Sequence, residues 1–274
     1  MKISQSYWGL EGSKTISEAL REVKDLGFDA IELAIASQGA LTPAITRAEC
    51  QDIRAQAEAI GLEISSLASG ESWNVSPTAS DPAVRAKIVA FTRQALQVAA
   101  WLGLDAYLFV PGAVDVFFNP AGEVVPYDLA YERAHEVIAQ LLPTAEALGV
   151  AVCVENVWNK FLLSPLEMRA FIDSFSSPWV GSYFDVGNVL ASGYPEHWIR
   201  ILGPRIKRVH VKDYKVAVGS AAGFCNLLEG DVNFPAVCQA LAEIGYDGYV
   251  TAEIMPYVPG GPQKTAAAMR SIFK

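Results

Sequence analysis

Six times along the chain a helical pattern closes on an apolar residue, then glycine, then a short apolar run. The junctions are Leu26-Gly27, Ile60-Gly61, Leu102-Gly103, Leu148-Gly149, Leu202-Gly203 and Ile244-Gly245. Glycine just past a helix takes the left-handed conformation without a Cβ clash, so the helix stops and the chain turns back. The runs that follow span residues 30–33, 62–67, 106–110, 150–154, 206–211 and 249–254, and they are almost continuously apolar. Parallel strands covered on both faces read this way. Residues 3–8 and 179–184 add two more runs, which makes eight. Seven helix-to-strand junctions are then needed; the one without the glycine mark is Ser176-Ser177-Pro178.

The intervening segments carry helical periodicity. Residues 15–26 put Ile16, Ala19, Leu20, Val23 and Leu26 on one stripe, and Thr15 with Glu18 forms a capping box at its start. Ser164-Pro165-Leu166-Glu167 opens another helix, and Asp81-Pro82 opens a third that runs to about Trp101. Eight strands alternating with eight helices predict a single (β/α)₈ TIM barrel over residues 1–274, without linker or low-complexity segment. No GxGxxG follows the first run, which argues against a doubly wound dinucleotide-binding sheet.

Composition narrows the class. A chain of 274 residues, 51% hydrophobic and 19% charged, buries a core without disulfides and is neither disordered nor collagen-like. Its net charge of −9 argues against a partner whose phosphates it must neutralise, so no nucleic acid is expected. The four cysteines form no CxxC, and there is no signal-peptide core and no apolar run of about 18 residues. These features predict a cytoplasmic protein with no membrane partner, and they leave a homo-oligomer open.

In such barrels chemistry sits at the C-terminal ends of the strands. Four consecutive strand ends present Glu155, Asp185, His210 and Glu253, spaced 30, 25 and 43 residues apart. Three converging carboxylates and an imidazole repel or pay heavily for desolvation unless a cation lies between them. The mixed oxygen and nitrogen set suits one divalent ion such as Mn²⁺, Mg²⁺, Co²⁺ or Zn²⁺. Singly, each residue has a plainer reading: Asp185 as a helix cap, His210 as a core histidine. Glu32 also ends a strand, but one glutamate there is weak evidence.

The segments VCVENVWNKFLLSP, YFDVGN, RIKRVHVKDYK, LLEGDVNF and IGYDGYVTAEI resemble the sugar phosphate isomerase/epimerase family of xylose isomerase-like barrels. That family includes L-ribulose-5-phosphate 3-epimerase and D-tagatose 3-epimerase. The resemblance implies that Glu155, Asp185, His210 and Glu253 hold one divalent metal. It also implies that Glu155 and Glu253 exchange protons with a ketose or ketose phosphate. Asn188 stands where the free-ketose epimerases carry a histidine, and with HVKD it resembles the phosphopentulose branch. Lys212 and Lys215 add positive charge there, so a phosphate held after strand seven is an expectation.

Asn156, Asn159, Trp8, Trp73, Phe109 and Trp158 lie at or beyond strand ends and are candidate sugar contacts, with turn stabilisation or packing as the alternative. Residues 213–231 form a long, glycine-containing connection expected to act either as a lid or as a turn into the next helix with Asp231 as its cap. The predicted activity is a metal-dependent 3-epimerase with a small-molecule sugar or sugar phosphate as partner, working through an enediolate. An aldose–ketose isomerase or inosose-type dehydratase on the same site is the alternative, and a non-catalytic sugar-binding barrel ranks lower. A trinuclear phosphodiesterase centre needs more histidine than His135, His197 and His210 provide.

Overall fold

The computed structural model describes residues 1–119 and 122–274. Seven strands follow in order: β1 (Lys2–Ser6), β2 (Ala30–Ala34), β3 (Glu63–Ala68), β4 (Ala106–Phe109), β5 (Ala151–Glu155), β6 (Val180–Asp185) and β7 (Ile206–Val211). A small antiparallel pair, β8 (Asp213–Tyr214) and β9 (Phe224–Cys225), precedes the last barrel strand, β10 (Tyr249–Ala252). The eight long strands are all parallel, and β10 pairs with both β7 and β1 to close the barrel. The helices are α1 (Ile16–Asp25), α2 (Arg47–Ala59), α3 (Pro82–Trp101), α4 (Tyr127–Leu148), α5 (Pro165–Asp173), the one-turn α6 (Val186–Val189), α7 (Pro195–Leu202), α8 (Phe234–Glu243) and α9 (Gly261–Phe273). Among the described residues no helix is long and apolar enough to cross a membrane.

All six junction glycines have φ between 54° and 80°. The seventh junction meets the same demand with Ser176, at φ 49°. The φ angle is therefore positive at every helix-to-strand return, whether or not glycine supplies it, although Gly203, with ψ −128°, leaves the left-handed helical region. The capping boxes at Thr15–Glu18 and Thr46–Glu49 are formed, and Asp81 and Ser164 cap α3 and α5.

Alternation along each strand divides the core in two. Ile31, Leu33, Val152, Val154, Phe184, Val209 and Val250 pack outward against the helices. Ala106, Leu108, Ala151, Cys153 and Tyr183 fill the barrel interior. The interior parity of Ala151 and Cys153 continues to Glu155, and that of Tyr183 to Asp185. Lower down the same interior, Arg208 donates from Nε to the Ser65 carbonyl at 2.8 Å and pairs with Asp105. The charged ends of the strands therefore collect at one mouth.

Two expectations are corrected. The first strand ends at Ser6, and Trp8 lies in a 3₁₀ turn over Tyr7–Gly9. Asp231 does not cap the following helix: Asn233 does, while Asp231 Oδ2 accepts from Val216 N at 2.8 Å. The connection over 213–231 is tied down by Asp213, whose carboxylate accepts from Gly230 N at 2.9 Å and Val232 N at 3.2 Å. A Cβ at Gly230 would run into that carboxylate, so glycine is required there.

Candidate active site

Glu155 and Asp185 are the last residues of β5 and β6, His210 is the penultimate residue of β7, and Glu253 follows β10. All four are buried, and one ligating atom from each lies within 4.8 Å of the others. His210 Nδ1 is 2.7 Å from Glu253 Oε2, 3.1 Å from Glu155 Oε1 and 4.0 Å from Asp185 Oδ2.

Asp185 divides its two oxygens. Oδ1 accepts from Asn188 N at 2.7 Å and so caps α6, while Oδ2 faces Lys212 Nζ at 2.9 Å. The backbone of Asp185 is clamped by Asn156, which donates to its carbonyl at 2.8 Å and accepts from its N–H at 2.9 Å. Asn188 donates to the Asn156 carbonyl at 2.9 Å, and the Asn188 carbonyl accepts from Trp158 Nε1 at 2.9 Å. Gly187 lets this turn pass Lys212, since a Cβ there would lie 2.5 Å from Lys212 Cβ.

The donor set fits a divalent metal. Asp185 Oδ2 and Glu253 Oε2 are buried without a hydrogen bond of acceptable geometry. Lys212 Nζ approaches both, at 2.9 and 2.7 Å, and neutralises part of their charge. Two orphaned carboxylate oxygens beside a third carboxylate and an imidazole form a hard oxygen and nitrogen cluster that could bind one divalent ion.

The protein's own charges push the two glutamates in opposite directions. Burial lifts the Glu155 carboxyl to about 7, against the pull of His210 and Lys212. Burial also disfavours the Glu253 carboxylate, but the Lys212 and His210 cations outweigh it and carry that carboxyl down to about 2. Burial likewise raises Asp185. For His210 and Lys212 burial acts to lower the pKa, yet the surrounding carboxylates win and raise both, Glu32 and Glu253 leading for His210 and Asp185 and Glu253 for Lys212.

A cavity of about 490 Å³ opens above the cluster, walled by Trp8, Trp73, Phe117, Phe118, Trp158 and Phe224, with Glu155, Asn188, Lys212 and Glu253 also on its surface. Of the residues singled out by sequence, Trp8, Trp73, Trp158, Asn188, Lys212, Glu155 and Glu253 line it. Asn156 lies beneath, with both polar side-chain atoms engaged by Asp185. Asn159 is buried, donating to the Gly112 carbonyl at 2.7 Å, and Phe109 belongs to the outer core. Lys215 is exposed and off the lining, and Lys212 is the sole cation on it among the described residues. His135 stacks on Phe175 and His197 lies on α7, so neither joins the site.

Sequence reasoning missed Glu71, Phe117, Phe118 and Phe224 on the lining. Glu71 sits in a 3₁₀ turn past β3 and accepts from Ser37 N at 3.0 Å. The adjacent Phe117 and Phe118 were a usable signal, being two large apolar residues in a connection too polar for a strand. Phe224 enters through the ladder of β8 and β9 and packs on Trp158 and Tyr214.

The chain belongs to the xylose isomerase-like TIM barrel family, whose model matches residues 20–274. Over 267 residues it is 28% identical to a D-psicose 3-epimerase of Agrobacterium fabrum, covering 94% of this chain and 85% of that one. Its fold superposes on that of D-psicose 3-epimerase with D-tagatose from Clostridium cellulolyticum H10, with a TM-score of 0.81, 19% identity and full coverage of both chains. It also superposes on 3-keto-D-glucoside 4-epimerase from E. coli, with a TM-score of 0.77, 16% identity and 99% and 98% coverage.

Proposed function

We propose that this protein is an isomerase, a divalent-metal-dependent 3-epimerase of an uncharged ketose. The observation that carries this reading is the pair of buried glutamates, Glu155 and Glu253, flanking Asp185 and His210 at the floor of an aromatic-walled cavity. The activity in the name of the Agrobacterium relative points the same way.

A proton on carbon beside a ketone is weakly acidic, and inverting that carbon requires losing the proton from one face and regaining it on the other. A divalent ion held by Glu155, Asp185, His210 and Glu253 would supply Lewis-acid stabilisation of the enediolate charge. Glu253, its ionised form favoured by the Lys212 ammonium at 2.7 Å, is the group ready to accept the C3 proton. Glu155, the other glutamate of the cluster, is the group that delivers one; ligation of a cation favours its ionised form, so it takes up the proton it delivers during turnover. Across one turnover the pair exchanges states: Glu253 gains a proton, Glu155 loses one, and the reverse epimerisation or solvent exchange resets them. Asn188 and Lys212 face the sugar oxygens, and Trp8 and Trp158 offer faces to its C–H surface while excluding water.

The expected phosphate finds little support in this lining. Lys212 already pairs with two carboxylates, Lys215 lies outside, and the remaining ionisable group on the lining outside the cluster, among the described residues, is another carboxyl, Glu71.

The test is a panel of pentuloses, hexuloses and their phosphates incubated with Mn²⁺ in D₂O and followed by NMR. Deuterium should appear at C3, and Glu155→Gln and Glu253→Gln should each lower kcat by at least about 10², the scale of lost acid–base help. Turnover without label, where exchange outpaces turnover, would assign a hydride-shift isomerase instead. A ketose phosphate preferred over its free sugar would overturn the uncharged substrate.

A further inference from the structure

We infer that Glu32, on β2, is a positioning residue for the imidazole of His210. This rests on reading the Glu155, Asp185, His210 and Glu253 cluster as a metal centre. Glu32 Oε1 lies 2.9 Å from His210 Nε2, while Nδ1 of the same ring faces Glu253 and Glu155. The other oxygen, Oε2, accepts from Ser66 Oγ at 3.0 Å and from the Tyr183 hydroxyl. Glu32, Ser66, Tyr183 and His210 are all fully shielded from solvent.

A carboxylate buried this deeply is costly unless each oxygen is paired, and here three donors meet it. An ionised carboxylate only accepts, so Glu32 makes Nε2 the N–H end of the ring. Nδ1 is then the nitrogen whose lone pair is available to the cluster. The opposite tautomer would set the Nε2 lone pair against a carboxylate oxygen. A carboxylate behind a ligating histidine in this way fixes the ring and raises its basicity.

The backbone is shaped for this contact. The β2–β3 ladder shifts register between Ile31 and Glu32, so that Ser66 rather than Ser65 stands opposite Glu32. Without that shift the serine pointing inward beside Glu32 would turn away, because side chains alternate faces along a strand. Tyr183, two residues before Asp185 on β6, reaches the same oxygen, and its ring lies 4.5 Å from that of His210. Four strands, β2, β3, β6 and β7, thus converge on one carboxylate and one imidazole.

The discriminating variant is Glu32→Gln. It keeps the shape and an acceptor for Nε2–H, and the Ser66 and Tyr183 hydroxyls can rotate to accept from its amide. What it removes is the negative charge behind the ring. The readouts are the Mn²⁺ dissociation constant by calorimetry and the visible spectrum of the Co²⁺-loaded protein, neither of which depends on turnover. Glu32→Gln should weaken Mn²⁺ binding by about 10- to 100-fold and shift the Co²⁺ bands, with Glu32→Ala at least as severe. Thermal melting in EDTA checks folding. Should either Glu32 variant fail to fold, Tyr183→Phe removes one donor to Glu32 while keeping the ring, and it should weaken Mn²⁺ binding measurably. Unchanged Mn²⁺ affinity and Co²⁺ spectrum in the folded variants overturn the role of Glu32 alone. Failure of the wild-type protein to bind Mn²⁺ overturns the metal centre and this inference with it.

Discussion

Replacing Lys212 by Met should weaken the metal-free protein and, in the same molecule, strengthen its hold on a divalent cation. The Lys212 ammonium lies 2.9 Å from Asp185 Oδ2 and 2.7 Å from Glu253 Oε2, on a side chain only 14% exposed. At about 3 Å and an effective dielectric of about 20, each contact is worth roughly 5 kcal/mol of Coulomb attraction before desolvation is counted. Desolvation of the ammonium offsets much of that. Removing one partner of such a buried group still costs about 3–5 kcal/mol, because the carboxylates stay behind uncompensated. For a chain of this size 1 kcal/mol moves Tm by roughly 2–4 °C, so Lys212→Met should melt on the order of 10 °C below wild type in EDTA. With Mn²⁺ the balance changes, because the cation no longer competes with an ammonium for the same two oxygens. Its stabilisation grows with the logarithm of concentration over Kd, so the Tm gain on adding Mn²⁺ should be larger in the variant. Scanning calorimetry of both proteins, each in EDTA and in excess MnCl₂, gives the four numbers needed. Equal melting in EDTA, or a smaller Mn²⁺ shift in the variant than in wild type, would refute the reasoning.

Three further outcomes are expected. Mn²⁺ affinity should rise with pH through the neutral range, since the Glu155 carboxyl near 7 and the raised His210 imidazole must both lose protons as the cation enters; a Kd constant between pH 6 and 8 in isothermal titration would contradict this. Phe117→Ala and Phe118→Ala, at positions 59% and 51% exposed, should leave Tm within about 1 °C while raising KM for the sugar, which steady-state kinetics beside a melting curve will separate. Ser176→Gly should stabilise the fold by about 0.5–1 kcal/mol, because the left-handed strain on serine slightly exceeds the chain entropy that glycine adds; denaturant unfolding measures it, and a lower midpoint would show the turn is unstrained.

The barrel was legible because its instructions are local. A helix stripe, a capping box and a glycine at a left-handed turn each involve residues a few positions apart, so their pattern survives in one dimension. Even the seventh junction obeys the rule, with Ser176 taking the conformation that glycine takes elsewhere. The four cluster residues were legible for a related reason. The end of a strand is readable from where an apolar run stops, and a parallel barrel brings the ends of its strands to one rim.

What sequence could not decide depends on which atoms meet across the closed barrel. Glu32 and His210 are 178 residues apart, and nothing local to either announces the other. Asp185 looked like either a cap or a ligand, and only the folded turn shows one oxygen capping α6 while the other stays with the cluster. Lys212 read as a free cation for a phosphate until folding set it between Asp185 and Glu253. Asn156 read as a sugar contact until both its polar atoms proved to be spent on the backbone of Asp185. Apart from the local cap that Asp185 gives α6, each of these outcomes turns on distances of about 3 Å between groups carried by different strands. The period of a sequence specifies the face a side chain occupies; barrel closure and strand register specify which neighbour it finds there.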